Sequence, residues 1–109
     1  MAEGVIEFTD GNFESEVLAS NEPVLVDFWA PWCAPCRALT PLINELAAEY
    51  KGSVKIGKLD IDQNTVYAQN YGVSSIPTLL IFKGGQIVDR FQGGPSKAKL
   101  QAALDASKA

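Results

Sequence analysis

The sequence predicts an α/β domain in which helices connect parallel strands and an antiparallel hairpin completes the sheet. Three observations lead there. Strand-like and helical patterns alternate from Val5 to Tyr71, and that alternation generates parallel pairing. Val24 to Ala30 is apolar almost without interruption, as expected of a central strand covered on both faces. Gly84-Gly85 separates two strand-like runs, and a two-residue Gly-Gly loop implies a hairpin.

The elements follow in order. Val5 to Phe8 is a short strand. Thr9 or Asp10 caps a helix that buries Phe13, Val17 and Leu18. Asn21-Glu22-Pro23 ends that helix, and Val24 to Ala30 forms the central strand. A long helix opens after Cys33 and carries Leu39, Leu42, Ile43, Leu46 and Tyr50 at helical spacing. Pro41 removes the hydrogen bond to the Arg37 carbonyl, so a kink is expected there. Val54 to Ile61 is the next strand, after a turn at Lys51-Gly52-Ser53. Asn64 to Tyr71 reads as a short helix closed by Gly72. Thr78 to Lys83 and Gln86 to Gln92 form the hairpin. Gly93-Gly94-Pro95 breaks the second strand. Ser96 then caps a last helix with Leu100, Ala103 and Leu104 inward. The order is β-α-β-α-β-α-β-β-α.

Bulk properties narrow the function. At 109 residues the chain reads as a single domain, 1–109, and a chain of this size buries roughly two thirds of its unfolded surface. Apolar residues make up 47% and charged residues 20%, which is globular rather than disordered. The net charge of −4, without a basic run, argues against nucleic acid and anionic membranes as partners. No apolar run approaches the roughly 18 residues of a membrane span, and no secretory signal is visible. A cytoplasmic location is therefore expected, where a cycling disulfide is more plausible than a permanent one. Histidine is absent, which removes a Cys–His nucleophilic pair and any zinc site that needs imidazole. No metal site is expected.

The chemistry concentrates in Trp32-Cys33-Ala34-Pro35-Cys36, which holds both cysteines of the chain. A Cys-x-x-Cys between a strand and a helix reads as a redox dithiol. If the helix begins near Ala34, Cys33 sits at its mouth and Cys36 lies one turn inside on the same face. Unpaired N–H groups and the positive end of the helix dipole then favour the Cys33 thiolate, the nucleophilic form. Pro35 fits the first turn, where its missing N–H costs little. The plainer alternative is a pair of inert core thiols, against which the spacing and the helix start both count.

The pentapeptide resembles the Trp-Cys-Gly-Pro-Cys active site of the thioredoxin family, with Ala34 in place of the usual glycine. Phe8-Thr9-Asp10 with Asn12-Phe13, Val26-Asp27-Phe28-Trp29-Ala30, Lys58-Leu59-Asp60-Ile61-Asp62 and Ile76-Pro77-Thr78 are similar to thioredoxin segments in the same order. The resemblance covers nearly the whole chain. It implies the thioredoxin fold, a central five-stranded mixed β-sheet flanked by four helices, two on each face. It implies a protein-disulfide reductase active in cell redox homeostasis. It also implies recharging by thioredoxin reductase, an NADPH-dependent flavoprotein. A monomer with no bound cofactor beyond the redox-active Cys33–Cys36 disulfide is expected.

Individual residues take roles on this basis. Cys33 attacks a substrate disulfide, and Cys36 resolves the mixed disulfide. Asp27 stands inside an apolar strand, where a charge is costly unless paired or neutralised. Burial raises a carboxyl pKa towards neutrality, which suits a proton acceptor; otherwise Asp27 is a satisfied structural carboxylate. The resemblance implies the acceptor role, towards Cys36, and places Lys58 nearby as a modulator. Strand parity alone leaves Lys58 either partly inward or snorkelling to the surface. The resemblance further implies a cis Ile76–Pro77 bond beside the cysteines, with the Ile76 backbone open to strand-like pairing with substrate. Trp32, Ile61, Ile76 and Gly93 would form an apolar rim around Cys33; read alone, each is an ordinary core or turn residue. Trp29 is expected to support the site from beneath, and Arg37 to be a solvated helix charge.

Ala34 and Pro35 are candidates for redox tuning. Alanine is preferred over glycine in a helix by up to ~1 kcal/mol, which corresponds to roughly 20 mV for a two-electron couple. Reductants and strong oxidants of this superfamily differ by on the order of 100 mV or more, so Ala34 alone does not change the class. Two alternatives stay open: a disulfide oxidase or isomerase on the same fold, and a non-catalytic binding or chaperone module.

Overall fold

A computed structural model describes residues 2–109. Five strands form one sheet: β1 (Val5–Phe8), β2 (Val24–Trp29), β3 (Lys55–Asp60), β4 (Thr78–Lys83) and β5 (Gln86–Gln92). Three α-helices, α1 (Ala34–Glu49), α2 (Val66–Asn70) and α3 (Lys97–Ser107), accompany them, with a single π-helical stretch over Glu14–Leu18. The spatial order is β1-β3-β2-β4-β5. β1 and β2 both run parallel to β3, while β2–β4 and β4–β5 are antiparallel. The expected mixed five-stranded sheet is therefore present.

Two cores lie on opposite faces of the sheet. Leu25, Ile56, Leu79 and Ile81 pack against Leu39, Ile43 and Leu46 of α1 and Leu100 and Leu104 of α3. Val24, Val26, Phe28, Leu59, Leu80 and Phe82 pack against Phe13, Val17 and Ala68 from the π-helix and α2. Each face thus carries two helical elements. The uninterrupted apolar run of β2 is explained directly, because its alternate residues enter alternate cores.

The differences from the sequence reading are local. The first helix is π-helical rather than α: the Ala19 N–H reaches the Glu14 carbonyl at 2.9 Å, one residue beyond the α register. Phe13 and Val17 are still fully or almost fully buried. Neither Thr9 nor Asp10 caps this helix, whose N-cap position is Phe13 with no side-chain cap bond; Thr9 closes the turn that precedes it. Its hydroxyl accepts the Asn12 N–H at 3.1 Å while the Asn12 side-chain oxygen accepts the Thr9 N–H at 2.7 Å. β2 stops at Trp29, one residue before Ala30, and β3 occupies Lys55–Asp60 rather than 54–61. α2 is shorter than the expected Asn64–Tyr71 helix. α1 continues through Pro41 as one helix. The Ser96 hydroxyl accepts the Lys99 N–H at 3.2 Å and caps α3 as expected. Gly84 and Gly85 both have positive φ, 59° and 77°, which is the geometry of a two-residue hairpin turn.

Gly57 marks the tightest backbone approach in the sheet. A Cβ there would overlap the Ile6 carbonyl and the Phe8 ring. Neither can retreat, because both belong to the paired strand β1. Gly57→Ala is expected to lower the unfolding free energy by about 1–3 kcal/mol through overpacking, read as a lower urea midpoint. An unchanged midpoint would mean that β1 is free to shift.

Candidate active site

The site forms where β2 ends and α1 begins. Cys33 is the N-cap of α1, with extended backbone (φ −88°, ψ 107°), and Ala34 is the first helical residue. Proline in the first turn leaves the helix intact, because that position has no intrahelical acceptor to meet. Cys33 and Cys36 are joined as a disulfide, with Cα atoms 5.2 Å apart. The Cys36 N–H points at the Cys33 sulfur from 3.2 Å. This amide belongs to the unpaired set at a helix start, so it is free to serve the sulfur. On reduction the same donor, with the helix dipole, stabilises a Cys33 thiolate. Cys33 retains 5% exposure against 0% for Cys36, so only the first sulfur is open to a large substrate.

The surroundings come from distant parts of the chain. Trp29, Ile61 and Ile76 pack against Ala30 and the two cysteines. The Ile76 carbonyl lies 3.9 Å from the Cys33 sulfur, and the Ile76–Pro77 bond is cis. Pro77 is buried, and its carbonyl accepts the Gly93 N–H at 2.9 Å. Gly93 is thereby tied to the loop that faces the disulfide. Trp32 is 67% exposed, so it does not pack as an ordinary core residue. Its indole N–H donates to the Asp62 carboxylate at 3.0 and 3.2 Å. Arg37 is exposed and donates to the Pro31 carbonyl at 2.9 Å, which agrees with a solvated helix charge.

Asp27 and Lys58 lie beneath α1. They are register partners on adjacent parallel strands and share the sheet face of Leu25 and Ile56, the face α1 covers. Asp27 is fully buried, and among the described residues neither carboxylate oxygen has a hydrogen-bond partner. Lys58 is 6% exposed, which excludes the snorkelling alternative. Its ammonium donates to the Thr40 hydroxyl at 3.2 Å and sits 4.0 Å from the centroid of the Trp29 ring. Among the described residues the two charges make no ion pair within 4.0 Å. Burial pushes the Asp27 carboxyl up from 3.8 to about 7, with Lys58 pulling it back.

Sequence reasoning did not single out Thr40 or Asp62. A threonine four residues after Cys36 shares its helix face, and that spacing was the available signal for Thr40. No local pattern announces the pairing of Asp62 with Trp32. Among the described residues no group of three or more His, Cys, Asp or Glu side chains is placed to hold a metal.

The family model described as Thioredoxin matches residues 4–106. This chain belongs to the thioredoxin family. It is 52% identical over 97 residues to Thioredoxin 1 of a Nostoc species, covering 89% of this chain and 91% of that one. It is 48% identical over 101 residues to a thioredoxin of Pyropia yezoensis, covering 93% and 94%. A Pseudomonas aeruginosa thioredoxin is 45% identical over 107 residues, covering 98% and 99%. With the Cys33–Cys36 pair at bonding distance, this thioredoxin-family member is a thiol–disulfide oxidoreductase. No helix among the described residues is long and apolar enough to cross a membrane.

The buried carboxyl links folding to pH. Between about pH 4 and about pH 7 the folded chain keeps a proton on Asp27 that the unfolded chain has released. Stability from this group therefore falls as pH rises through that window and stays low above it. Asp27→Ala removes the dependence. The stability of the variant relative to wild type is expected to rise by up to about 4 kcal/mol from pH 4 to pH 8, at ~1.4 kcal/mol per pKa unit. Urea unfolding at the two pH values checks this, and a pH-independent difference would exclude the buried titration.

Proposed function

We propose that the chain, acting as one unit over residues 1–109, reduces protein disulfides in the cytoplasm, through Cys33 as nucleophile and Cys36 as resolving thiol. One observation carries the reading: the sulfur at the mouth of α1 receives the Cys36 N–H at 3.2 Å and is the more exposed of the pair. The Cys33 thiolate attacks one sulfur of the substrate disulfide, forms a mixed disulfide and expels the other sulfur as a thiolate. The Cys36 thiol then loses its proton to the Asp27 carboxylate. The resulting thiolate attacks the Cys33 sulfur, re-forms Cys33–Cys36 and releases the second substrate thiolate. Two electrons pass to the substrate, and the protein is left oxidised.

Asp27 suits this step because a carboxyl that titrates at about 7 is present in both forms at neutral pH. Lys58 modulates it from the adjacent strand. Trp32, Ile61, Ile76, Pro77 and Gly93 form the docking rim. The Ile76 backbone next to Cys33 offers strand-like pairing to an extended substrate segment. Ala34 and Pro35, exposed in the first turn of α1, tune the couple without changing its class. Family membership supports recharging by thioredoxin reductase, an NADPH-dependent flavoprotein, and a monomer that needs no bound cofactor.

Wild-type protein is expected to reduce insulin disulfides, and Cys33→Ser to abolish turnover. Cys36→Ser is expected to accumulate the mixed disulfide. Binding or holdase activity that survives Cys33→Ser while wild type shows no insulin turnover would favour a non-catalytic module. In stopped-flow at pH 7, Asp27→Ala is expected to slow resolution by on the order of 100-fold and the first attack much less. Equal slowing of both steps would remove the proton-acceptor role.

A further inference from the structure

Lys58 is buried, and among the described residues its ammonium has no carboxylate within 4.0 Å, which is an unusual place for a lysine. Among the described residues its one hydrogen-bond acceptor is the Thr40 hydroxyl at 3.2 Å, and the Trp29 ring centroid lies 4.0 Å from it. The two oxygens of Asp27, its register partner, are buried and have no hydrogen-bond partner among the described residues. The two opposite charges attract one another, yet they form no ion pair within 4.0 Å, and the cation meets Thr40 and Trp29 instead. Thr40 stands one helical turn beyond Cys36 on the inward side of α1, so it connects the resolving cysteine's own helix to that cation.

We propose that Thr40 is a positioning residue: its hydroxyl holds the Lys58 ammonium against the Trp29 ring and off Asp27, which leaves the carboxylate free to take a proton. The inference rests on the reading of Asp27 as proton acceptor, and it deepens that reading by identifying what keeps the acceptor unpaired. Few other groups compete at this place. On the α1-covered face, β1 presents the exposed Glu7 opposite Lys58. β3 presents the half-buried Asp60 two residues beyond Lys58. α1 presents Cys36 and Thr40, while the Arg37 guanidinium turns away to the Pro31 carbonyl. β4 presents Leu79 next to Asp27, and its one titratable residue, Lys83, stands four residues further on at the hairpin end of the strand. Neither Glu7 nor Asp60 is within 4.0 Å of Lys58, so the Thr40 hydroxyl is the contact that decides where the ammonium rests.

Thr40→Val keeps the shape of the side chain and deletes the acceptor. The freed ammonium then has one unpartnered buried acceptor group beside it, Asp27. An opposite charge brought into contact lowers a carboxyl pKa by roughly one to three units. The test is the Asp27 titration followed by carboxyl carbon NMR in the oxidised protein. Thr40→Val is expected to move the midpoint down by about one pH unit or more, and Thr40→Ser to leave it where wild type has it. In a Lys58→Met background, Thr40→Val is expected to leave the midpoint unmoved. A midpoint that stays put or rises in Thr40→Val overturns the proposal, as does a downward shift that persists without Lys58. The titration reads Asp27 directly, so it is independent of whether Asp27 is the acceptor. That question is answered separately by the rate of Cys36 resolution in Asp27→Ala.

Discussion

One contact organises the site: the Cys36 N–H directed at the Cys33 sulfur across the first turn of α1. It is possible because Cys33 is extended and Ala34 is helical, so the chain changes conformation between the two. The first amides of a helix have no carbonyl to meet, and one of them is spent on sulfur. Everything else in the neighbourhood serves to hold this helix start in place or to control who reaches it. β2 delivers it from below, Ala30 and Trp29 pack beneath it, and Ile61 and Ile76 close its sides.

The burial of the pair then separates two tasks on sulfurs only one turn apart. Cys33 keeps a small opening and Cys36 none, so only the first sulfur reaches the surface. The second sulfur lies inside the protein, and the sheet face beneath the same helix carries the buried carboxyl of Asp27. That carboxylate is destabilised by its surroundings. The same desolvation that lowers folding stability above neutral pH raises its proton affinity. Stability and proton affinity are thus coupled through one buried group, a common pattern at active sites.

The charges beneath α1 also show how an α/β sheet positions chemistry. Parallel pairing of β2 and β3 brings residues 27 and 58 side by side, although 30 residues of chain lie between them. α1 lies across that face and adds Thr40 from above. Lys58 is bonded to a hydroxyl and rests on an aromatic face rather than on the neighbouring carboxylate. The carboxylate and the ammonium therefore influence one another through space rather than by contact.

The sequence by itself determined the class of fold, the helix start at Cys-x-x-Cys, the Gly-Gly hairpin and the Ser96 cap. Each rests on neighbours within a few residues, where periodicity and backbone preference act directly. Val24 to Ala30 also announced itself as central, because burial on both faces demands a continuous apolar run. The π-helical turn at Glu14–Leu18 was not legible, since its buried positions fit an α-helical spacing nearly as well. Only the tertiary structure decided that Lys58 turns inward to Thr40 and Trp29, that Trp32 stays exposed and is held by Asp62, and that Gly93 is tied to Pro77. Such partners lie 16 to 30 residues apart, as Gly93–Pro77, Lys58–Thr40 and Trp32–Asp62 show. Strand order and helix placement bring them together, and a side chain's local sequence carries no record of what packing will set against it.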